Sequence, residues 1–256
     1  MFSQSLESII SINFIPPDSF FNPDFYREAK IVGIPINSKL PGSAPTLKFV
    51  RTNSFEEICA MFTGIVETLG IVTAVTADGA NKTFWIESNI SDQLKTDQSV
   101  SHSGVCLTVE EVIESRHRVT AIDETLKKTN LSTWETGDLI NLERSLTPES
   151  RLDGHWVQGH ADAVVTCTGI QEKKGSWEYE FSFARKFAEL VIEKGSVCVN
   201  GISLTAFGVK KKNFKVAIIP YTYEHTNIKA VRKDEVVNIE FDIIGKYVLR
   251  RLSLKG

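Results

Sequence analysis

"SHSGVCLTVEEV", residues 101–112, places a glycine turn before an alternating apolar run, and the related stretch "CVNGISLTAFGV" follows at residues 198–209. Shifting the chain by 97 positions aligns residues 99–145 with 196–242 without a gap and gives 13 identities in 47 positions. An offset that is held through several successive motifs indicates a chain built from two homologous modules.

A two-residue slip carries the repeat further upstream, where "TGIVE" (63–67) lies over "QGHAD" (158–162). We therefore place the modules at roughly 61–154 and 155–245. From Met61 onward, short runs rich in β-branched residues alternate with turns of Gly, Asn, Asp and Lys. This texture predicts an all-β barrel or sandwich. Only two stretches, 185–195 and 246–254, have a helical pattern, and the last module is followed by a C-terminal helix over 246–256.

Residues 1–60 differ in composition from the rest of the chain. They hold six of the eight prolines and show no sustained period of 2 or 3.6. We interpret them as an extension that is poorly ordered or that results from a start codon assigned too far upstream.

Bulk properties exclude several classes of function. The net charge of −3 gives no reason to expect nucleic acid as a partner, and no stretch of 18 apolar residues predicts a membrane span. The four cysteines lack metal-ligand spacing, so no metal site is predicted, and they are expected to stay reduced in the cytoplasm. The chain contains none of the common nucleotide, zinc or serine-hydrolase motifs.

Gly, Thr and Asn recur at fixed offsets among the repeated residues, although a barrel core would accept any apolar residue of suitable volume. Cys106 and Thr108 in one module, like Ser203 and Thr205 in the other, are two positions apart and share one face of a strand. Such pairs suit the polar edge of a planar heterocycle. Turn and strand-edge requirements explain any single one of these residues equally well, but the repeated set favours binding.

The differences between the modules indicate unequal roles. Ile65 corresponds to His160, and Ser145 corresponds to Asp242, so groups able to transfer protons near neutral pH are predicted in the second copy only.

The motifs "MFTGIVE" (61–67), "GVCLTV" (104–109), "DGHWVQGH" (153–160), "NGISLT" (200–205) and "IPYTYEHTN" (219–227) resemble the riboflavin synthase alpha-chain family. The resemblance covers essentially all of 61–256. It implies two six-stranded Greek-key barrels, a C-terminal helix and a homotrimer with its active site between subunits. It also implies a reaction that needs no cofactor: two molecules of 6,7-dimethyl-8-ribityllumazine give riboflavin and 5-amino-6-ribitylamino-uracil by transfer of a four-carbon unit.

The resemblance also implies the site residues. The first barrel would hold its lumazine with Gly64, Ile65, Val66, Cys106, Leu107, Thr108, Thr120, Ala121, Ile122, Asp123, Glu124 and Thr125. The second would use Gly159, His160, Ala161, Lys194, Ser203, Leu204, Thr205, Ile219, Pro220, Tyr221, Thr222, Tyr223 and Glu224. The positions implied in catalysis or ring orientation are Ser99, Cys106, His160, Ser203, Thr205 and Asp242. Which of them acts as the base is left open.

Two alternatives belong to other classes. A non-catalytic lumazine- or flavin-binding antenna protein would use the same fold, but relatives of that kind keep one working barrel, whereas this second copy retains Ser203, Thr205, His160 and Asp242. A flavin-binding reductase barrel would need a nicotinamide-binding α/β domain, which the sequence does not contain.

Overall fold

The computed structural model describes residues 61–254, and the interpretation of residues 1–60 lies outside the described residues. Two closed antiparallel barrels of six strands each follow one another along the chain. The first has the strands β1 Thr68–Asp78, β2 Asn81–Glu87, β3 Ser99–His102, β4 Val105–Ile113, β5 Arg116–Ala121 and β6 Leu139–Arg144. The second has β7 Ala163–Lys173, β8 Ser176–Ser182, β9 Ser196–Val199, β10 Ile202–Phe207, β11 Asn213–Ile218 and β12 Val236–Phe241.

Both barrels have the same strand order. Neighbours around the first barrel are β1-β2-β5-β4-β3-β6, with β6 pairing back onto β1, and the second repeats this order. The strands β3, β4 and β5 are consecutive hairpin strands, and the earlier strand β2 pairs with β5, the last of them. These four strands form a Greek key. A register shift between Val72 and Ala74 recurs between Cys167 and Gly169, and such bulges bend the long first strand of each barrel. The predicted fold class is confirmed.

Within residues 61–254, three helices accompany the strands: α1 Asp123–Lys128, α2 Pro220–His225 and α3 Ile243–Ser253. The short helices α1 and α2 occupy equivalent places after β5 and β11, and the sequence analysis did not predict them. The helix predicted over 185–195 is wrong, because only a 3₁₀ helix over Arg185–Leu190 forms there before the chain enters β9. Other 3₁₀ turns cover Ser91–Gln93, Asn130–Thr133 and Asn227–Ala230. In the part of the chain that the structure describes, no helix combines the length and apolar character that spanning a membrane requires.

Each barrel encloses its own apolar core. In β4 the side chains of Val105, Leu107 and Val109 are buried, while Cys106 and Thr108 between them are half-buried and exposed. The predicted pairing of Cys106 with Thr108 on one face is therefore confirmed, and the same alternation in β10 places Ser203 with Thr205. A third, small cluster of Phe62, Val157 and Cys198 lies apart from both cores, with Cys106 packed against it.

The repeated glycines meet where the two barrels touch. Gly104 and Gly201 have φ angles of +79° and +78°. A methyl group on either one would come within 2.7 Å of the other's backbone nitrogen. These glycines allow a close backbone approach, and what approaches is the other barrel.

The repeated asparagines form the polar part of the same interface. The side chain of Asn141 bonds with that of Asn227 at 2.8 Å and with the backbone oxygen of Asn200 at 2.8 Å. Asn238 accepts from the backbone amide of Asn130 at 2.8 Å. The hypothesis that the whole repeated set binds ligand is thus wrong for these residues, because their hydrogen-bonding groups face the other barrel.

Candidate functional site

Two short segments cross between the barrels and build the candidate site. Residues 62–66 precede the first barrel and residues 157–161 precede the second; we call them the crossing segments. They pair antiparallel at Phe62 and Val157, whose amides donate to each other's carbonyls at 2.7 and 3.1 Å. Both side chains at this pair are fully buried, so the pair anchors the two segments together.

Each crossing segment lies against the barrel of the other repeat. The amide of Ser203 donates to the carbonyl of Gly64 at 2.7 Å, and the amide of Cys106 donates to that of Gly159 at 2.7 Å. Val66 packs on the core of the second barrel, and Ala161 packs on that of the first. The predicted grouping of the segments is therefore wrong. Gly64, Ile65 and Val66 belong with the second barrel, whereas Gly159, His160 and Ala161 belong with the first, because the antiparallel pair exchanges the segments.

A cavity of about 170 Å³ opens at the first barrel, where the crossing segment 157–161 meets β4 and α1. Its lining consists of Val105, Cys106, Glu124, Thr125, Lys128, Thr129, Gly159, His160 and Ala161. Six of these residues are among those predicted to bind substrate. His160 is exposed. Its backbone amide donates to Glu240 Oε2 at 3.0 Å, so Glu240 holds the backbone of His160 rather than its ring. An exposed ring at the cavity wall can reach a ligand.

The second barrel carries the more reactive group of side chains. Ser203 Oγ and His155 Nδ1 are 2.7 Å apart, so the hydroxyl can donate to the neutral imidazole. Burial lowers the pKa of His155, and the nearby carboxylate of Asp242 opposes that shift. Asp242 also caps α3 by accepting from the amide of Ile244 at 2.9 Å. A neutral histidine bonded to a hydroxyl beside a carboxylate is suited to proton transfer near neutral pH.

Sequence analysis did not select His155, although it lies in the quoted motif "DGHWVQGH". Its counterpart 95 positions earlier is Ala60, which precedes the first module as placed at 61–154, so the comparison of the repeats did not include this pair. The useful signal was the motif itself, in which one histidine is buried in the structure and the other is exposed.

Several predicted residues occupy these surfaces without a ligand-facing side chain. Leu107, Leu204 and Ala121 point into the barrel cores and are at most 9% exposed. They can shape a site only through their backbone. In contrast, Ile122 and Ile219 stand at equivalent helix starts and are 55% and 58% exposed, an unusual position for large apolar side chains unless something covers them.

The remaining predicted residues lie around the two sites as follows. Thr120 bonds Thr83 through their hydroxyls, Asp123 pairs with Lys127, and Glu124 pairs with Lys128. Ser99 faces Thr108 across β3 and β4, as Ser196 faces Thr205 across β9 and β10. Lys194 donates its amide to the carbonyl of Ala206 beside β10.

The predicted residues of α2 are held by contacts within and beside that helix. Tyr221 stacks on His225, and Tyr223 stacks on Trp177. Pro220 occupies the first turn, and the carbonyl of Thr222 accepts from the hydroxyl of Thr226.

Two buried carboxylates hold the crossing segments. Glu143 accepts from the amides of Thr63 and Gly64 at 2.6 and 2.9 Å, and from the Thr63 hydroxyl at 2.7 Å. Burial raises the pKa of Glu143 to about 7, and raises that of the equivalent Glu240 as well. Neither was predicted as a site residue, although Glu143 and Glu240 correspond at the offset of 97, and this repeated acidic residue in an apolar strand was the signal available.

A larger cavity, of about 480 Å³, lies where the first crossing segment meets the link between the barrels. Ile65 is the only predicted site residue among its described lining residues, which include Glu143, Arg144 and Arg151. Arg144 is engaged with Glu67 at 2.9 Å, so this cavity has less free hydrogen-bonding capacity than its composition suggests.

Comparison with known proteins agrees with this architecture. The model of the lumazine binding domain matches the chain twice, at residues 63–145 and 158–242. Riboflavin synthase from Bacillus subtilis (strain 168) is 34% identical over 193 residues, which cover 75% of this chain and 90% of that protein. Riboflavin synthase from Mycobacterium tuberculosis (strain CDC 1551 / Oshkosh) is 38% identical over 207 residues, which cover 77% of this chain and all of that protein.

Among solved structures, LumP complexed with riboflavin superposes with a TM-score of 0.65 at 21% identity, over 70% of this chain and 98% of that chain. Fold and duplicated site together define a protein with two lumazine binding domains. The chain belongs to the riboflavin synthase family and is an enzyme of the transferase class.

Proposed function

We propose that the chain converts two molecules of 6,7-dimethyl-8-ribityllumazine into riboflavin and 5-amino-6-ribitylamino-uracil. The observation that carries the proposal is a duplicated ligand-binding module in which only one copy holds the Ser203, His155 and Asp242 group. Riboflavin synthases that share 34% and 38% of their residues with this chain support it.

Duplication with unequal chemistry fits this reaction. One lumazine donates a four-carbon unit and the other accepts it, so two similar sites must hold identical molecules in different roles. The two substrates supply all the atoms of both products, and no external oxidant or reductant is required. Holding two planar reactants in register can lower the barrier by about 7–11 kcal/mol.

In this proposal the second site performs the proton transfers. His155 is held neutral by burial and takes a proton from the substrate, either directly or by way of the Ser203 hydroxyl. Asp242 stabilises the imidazolium that results. Thr205 and the residues of α2 line the same site. Cys106, Ser99 and His160 serve the first site, where the ring of His160 reaches the ligand from the exchanged segment.

We further propose a homotrimer in which the first site of one subunit meets the second site of its neighbour. Helix α3 supports a contact between copies, because Ile244, Tyr247, Val248 and Leu252 are 61%, 72%, 52% and 59% exposed. Their spacing of three and four residues places them on one stripe, as in helices that pack against helices. Sedimentation of the wild type and of Val248→Glu tests this, with a trimer expected only for the wild type.

Incubation with 6,7-dimethyl-8-ribityllumazine alone tests the reaction. Formation of riboflavin, with two lumazines consumed for each riboflavin, is the expected result. Tight binding without turnover would instead favour a lumazine- or flavin-binding protein, the function suggested by the likeness to LumP, whose structures contain riboflavin, lumazine or flavin mononucleotide.

A further inference from the structure

The carboxylates of Glu143 and Glu240 occupy equivalent positions in the last strand of each barrel and are 5% and 2% exposed. Their oxygens are occupied by backbone amides of the crossing segments. Glu143 accepts from Thr63 and Gly64, and Glu240 accepts from Gln158 and His160 at 2.8 and 3.0 Å. Burying a carboxylate costs free energy that an apolar side chain would avoid, and here the hydrogen bonds from the crossing segments offset that cost.

Each carboxylate is connected to the other barrel through a glycine of a crossing segment, Glu143 through Gly64 itself and Glu240 through the peptide unit that joins Gly159 to His160. Gly64 donates its amide to Glu143 and accepts, through its carbonyl, from the amide of Ser203 at 2.7 Å. In the second half, Glu240 holds the residues on both sides of Gly159, and the carbonyl of Gly159 accepts from Cys106 at 2.7 Å.

The contacts at the far end leave no free space. A methyl group on Gly64 would approach the nitrogen of Ser203 to 2.7 Å, and one on Gly159 would approach the Cβ of Cys106 to 2.6 Å. A segment that fits so closely transmits its displacement directly to the strand it touches.

We propose that Glu143 and Glu240 are positioning residues that act crosswise, Glu143 on the Ser203 site of the second barrel and Glu240 on the Cys106 site of the first. The role of these sites rests on the proposed function, but the crossed coupling itself does not. Only a carboxylate serves here, because it presents two acceptors to two N–H groups. A glutamine would direct its own NH₂ at one of those donors.

The matched variants Glu143→Gln and Glu240→Gln of the full chain test the proposal. Hydrogen exchange is measured at the amides of Ser203 and Cys106. In Glu143→Gln, exchange at Ser203 should accelerate at least tenfold while exchange at Cys106 stays within twofold. Glu240→Gln should show the reverse. Equal acceleration at both amides, or acceleration within the same repeat, would overturn the proposal.

Equilibrium titration with riboflavin gives a second readout. Each variant should weaken binding at one of two sites at least tenfold and leave the other unchanged. If the wild type does not bind riboflavin, the proposed function fails while the exchange experiment still decides the coupling. Should the glutamine variants not fold, Glu143→Asp and Glu240→Asp keep two acceptors on a shorter side chain. They should show the same crossed pattern with smaller changes, and an uncrossed pattern would reject the idea.

Discussion

The amide of Ser203 donates to the carbonyl of Gly64 over 2.7 Å, although the two residues belong to different repeats and lie 139 positions apart. The equivalent bond from Cys106 to Gly159 shows that this exchange is a property of both halves. Each candidate site is thus built from one barrel and from a segment that precedes the other barrel.

Asp242→Asn separates the two roles that Asp242 can have. Asparagine caps a helix about as well as aspartate, so α3 and the free energy of unfolding should be preserved. The negative charge beside His155 is lost, and we expect kcat to fall about 100-fold or more, the usual scale of acid–base contributions. Steady-state kinetics and thermal unfolding measure both quantities. An unchanged kcat would restrict Asp242 to capping.

Gly104→Ala should disrupt the contact between the barrels. Its φ of +79° disfavours any side chain, and a Cβ would lie 2.7 Å from the nitrogen of Gly201. We expect a loss of about 3 kcal/mol or more in the free energy of unfolding. Gly175→Ala is the matched control, since its φ is +84° but nothing lies within 4 Å. Urea denaturation should give about 1 kcal/mol for the control, and similar losses for both would argue against a tight contact.

A buried pair of histidines in the first barrel should bind protons less readily than histidines in the unfolded chain. His102 Nε2 and His117 Nε2 are 2.9 Å apart, His102 Nδ1 donates to the carbonyl of Val100, and His117 Nδ1 bonds Ser91. Burial lowers the pKa of His102 well below its usual value and that of His117 to about 4. The unfolded chain takes up protons below about pH 6.5 while the native pair does not. The contribution of this pair to stability should therefore be complete above that pH and be lost as the pH drops towards about 4, with His117 alone accounting for about 3 kcal/mol. The raised pKa of Glu143 acts in the opposite direction over the same range.

The second barrel supplies the control for this prediction. At the equivalent positions it carries Val199 and Phe214, both fully buried. The difference in unfolding free energy between the wild type and the double variant His102→Val, His117→Phe should fall by about 3 kcal/mol or more between pH 6.5 and 4, because Glu143 and Glu240 are common to both proteins. Denaturant titrations at a series of pH values measure this difference, and a difference that does not change with pH would contradict the prediction.

Removing residues 1–60 should leave the activity unchanged. The basis is their clustered prolines and absent periodicity, together with family matches that begin at residue 63. Kinetics of residues 61–256 beside the full chain, with intact-mass measurement of the protein from its native source, are the measurements. Loss of turnover on truncation would contradict the expectation.

The fold was largely predictable because the repeat is visible in the sequence. The offset of 97 aligns β3 through β6 with β9 through β12, and the slip to 95 aligns β1 and β2 with β7 and β8. A match between Gly64 and Gly159 states that they are equivalent, but it contains no information on which barrel each one touches. The exchange of segments could not be predicted for that reason.

For the candidate site, the sequence is informative where chemistry depends on residue type and not where it depends on burial. His160 and Asp242 were selected because they differ from their counterparts, and Ser203 was selected because it repeats the position of Cys106. His155 became informative only when its 2.7 Å bond to Ser203 was seen. The repeated Asn141 and Asn238 misled in the opposite direction, since an amide side chain serves a ligand and a protein interface equally well.

The exchanged segments have a consequence for how such a chain can arise. If a single barrel carried only its own leading segment, that segment would have to pack on a second copy, whose segment would pack on the first. The simplest functional ancestor is therefore a reciprocally swapped dimer. Fusing two copies end to end makes that exchange intramolecular, and the segment is then present at an effective concentration that no longer falls on dilution. Once joined, the halves are free to diverge in their chemistry, as His102 and Val199 have, while the residues at their shared contacts, Gly104 and Gly201, cannot change independently.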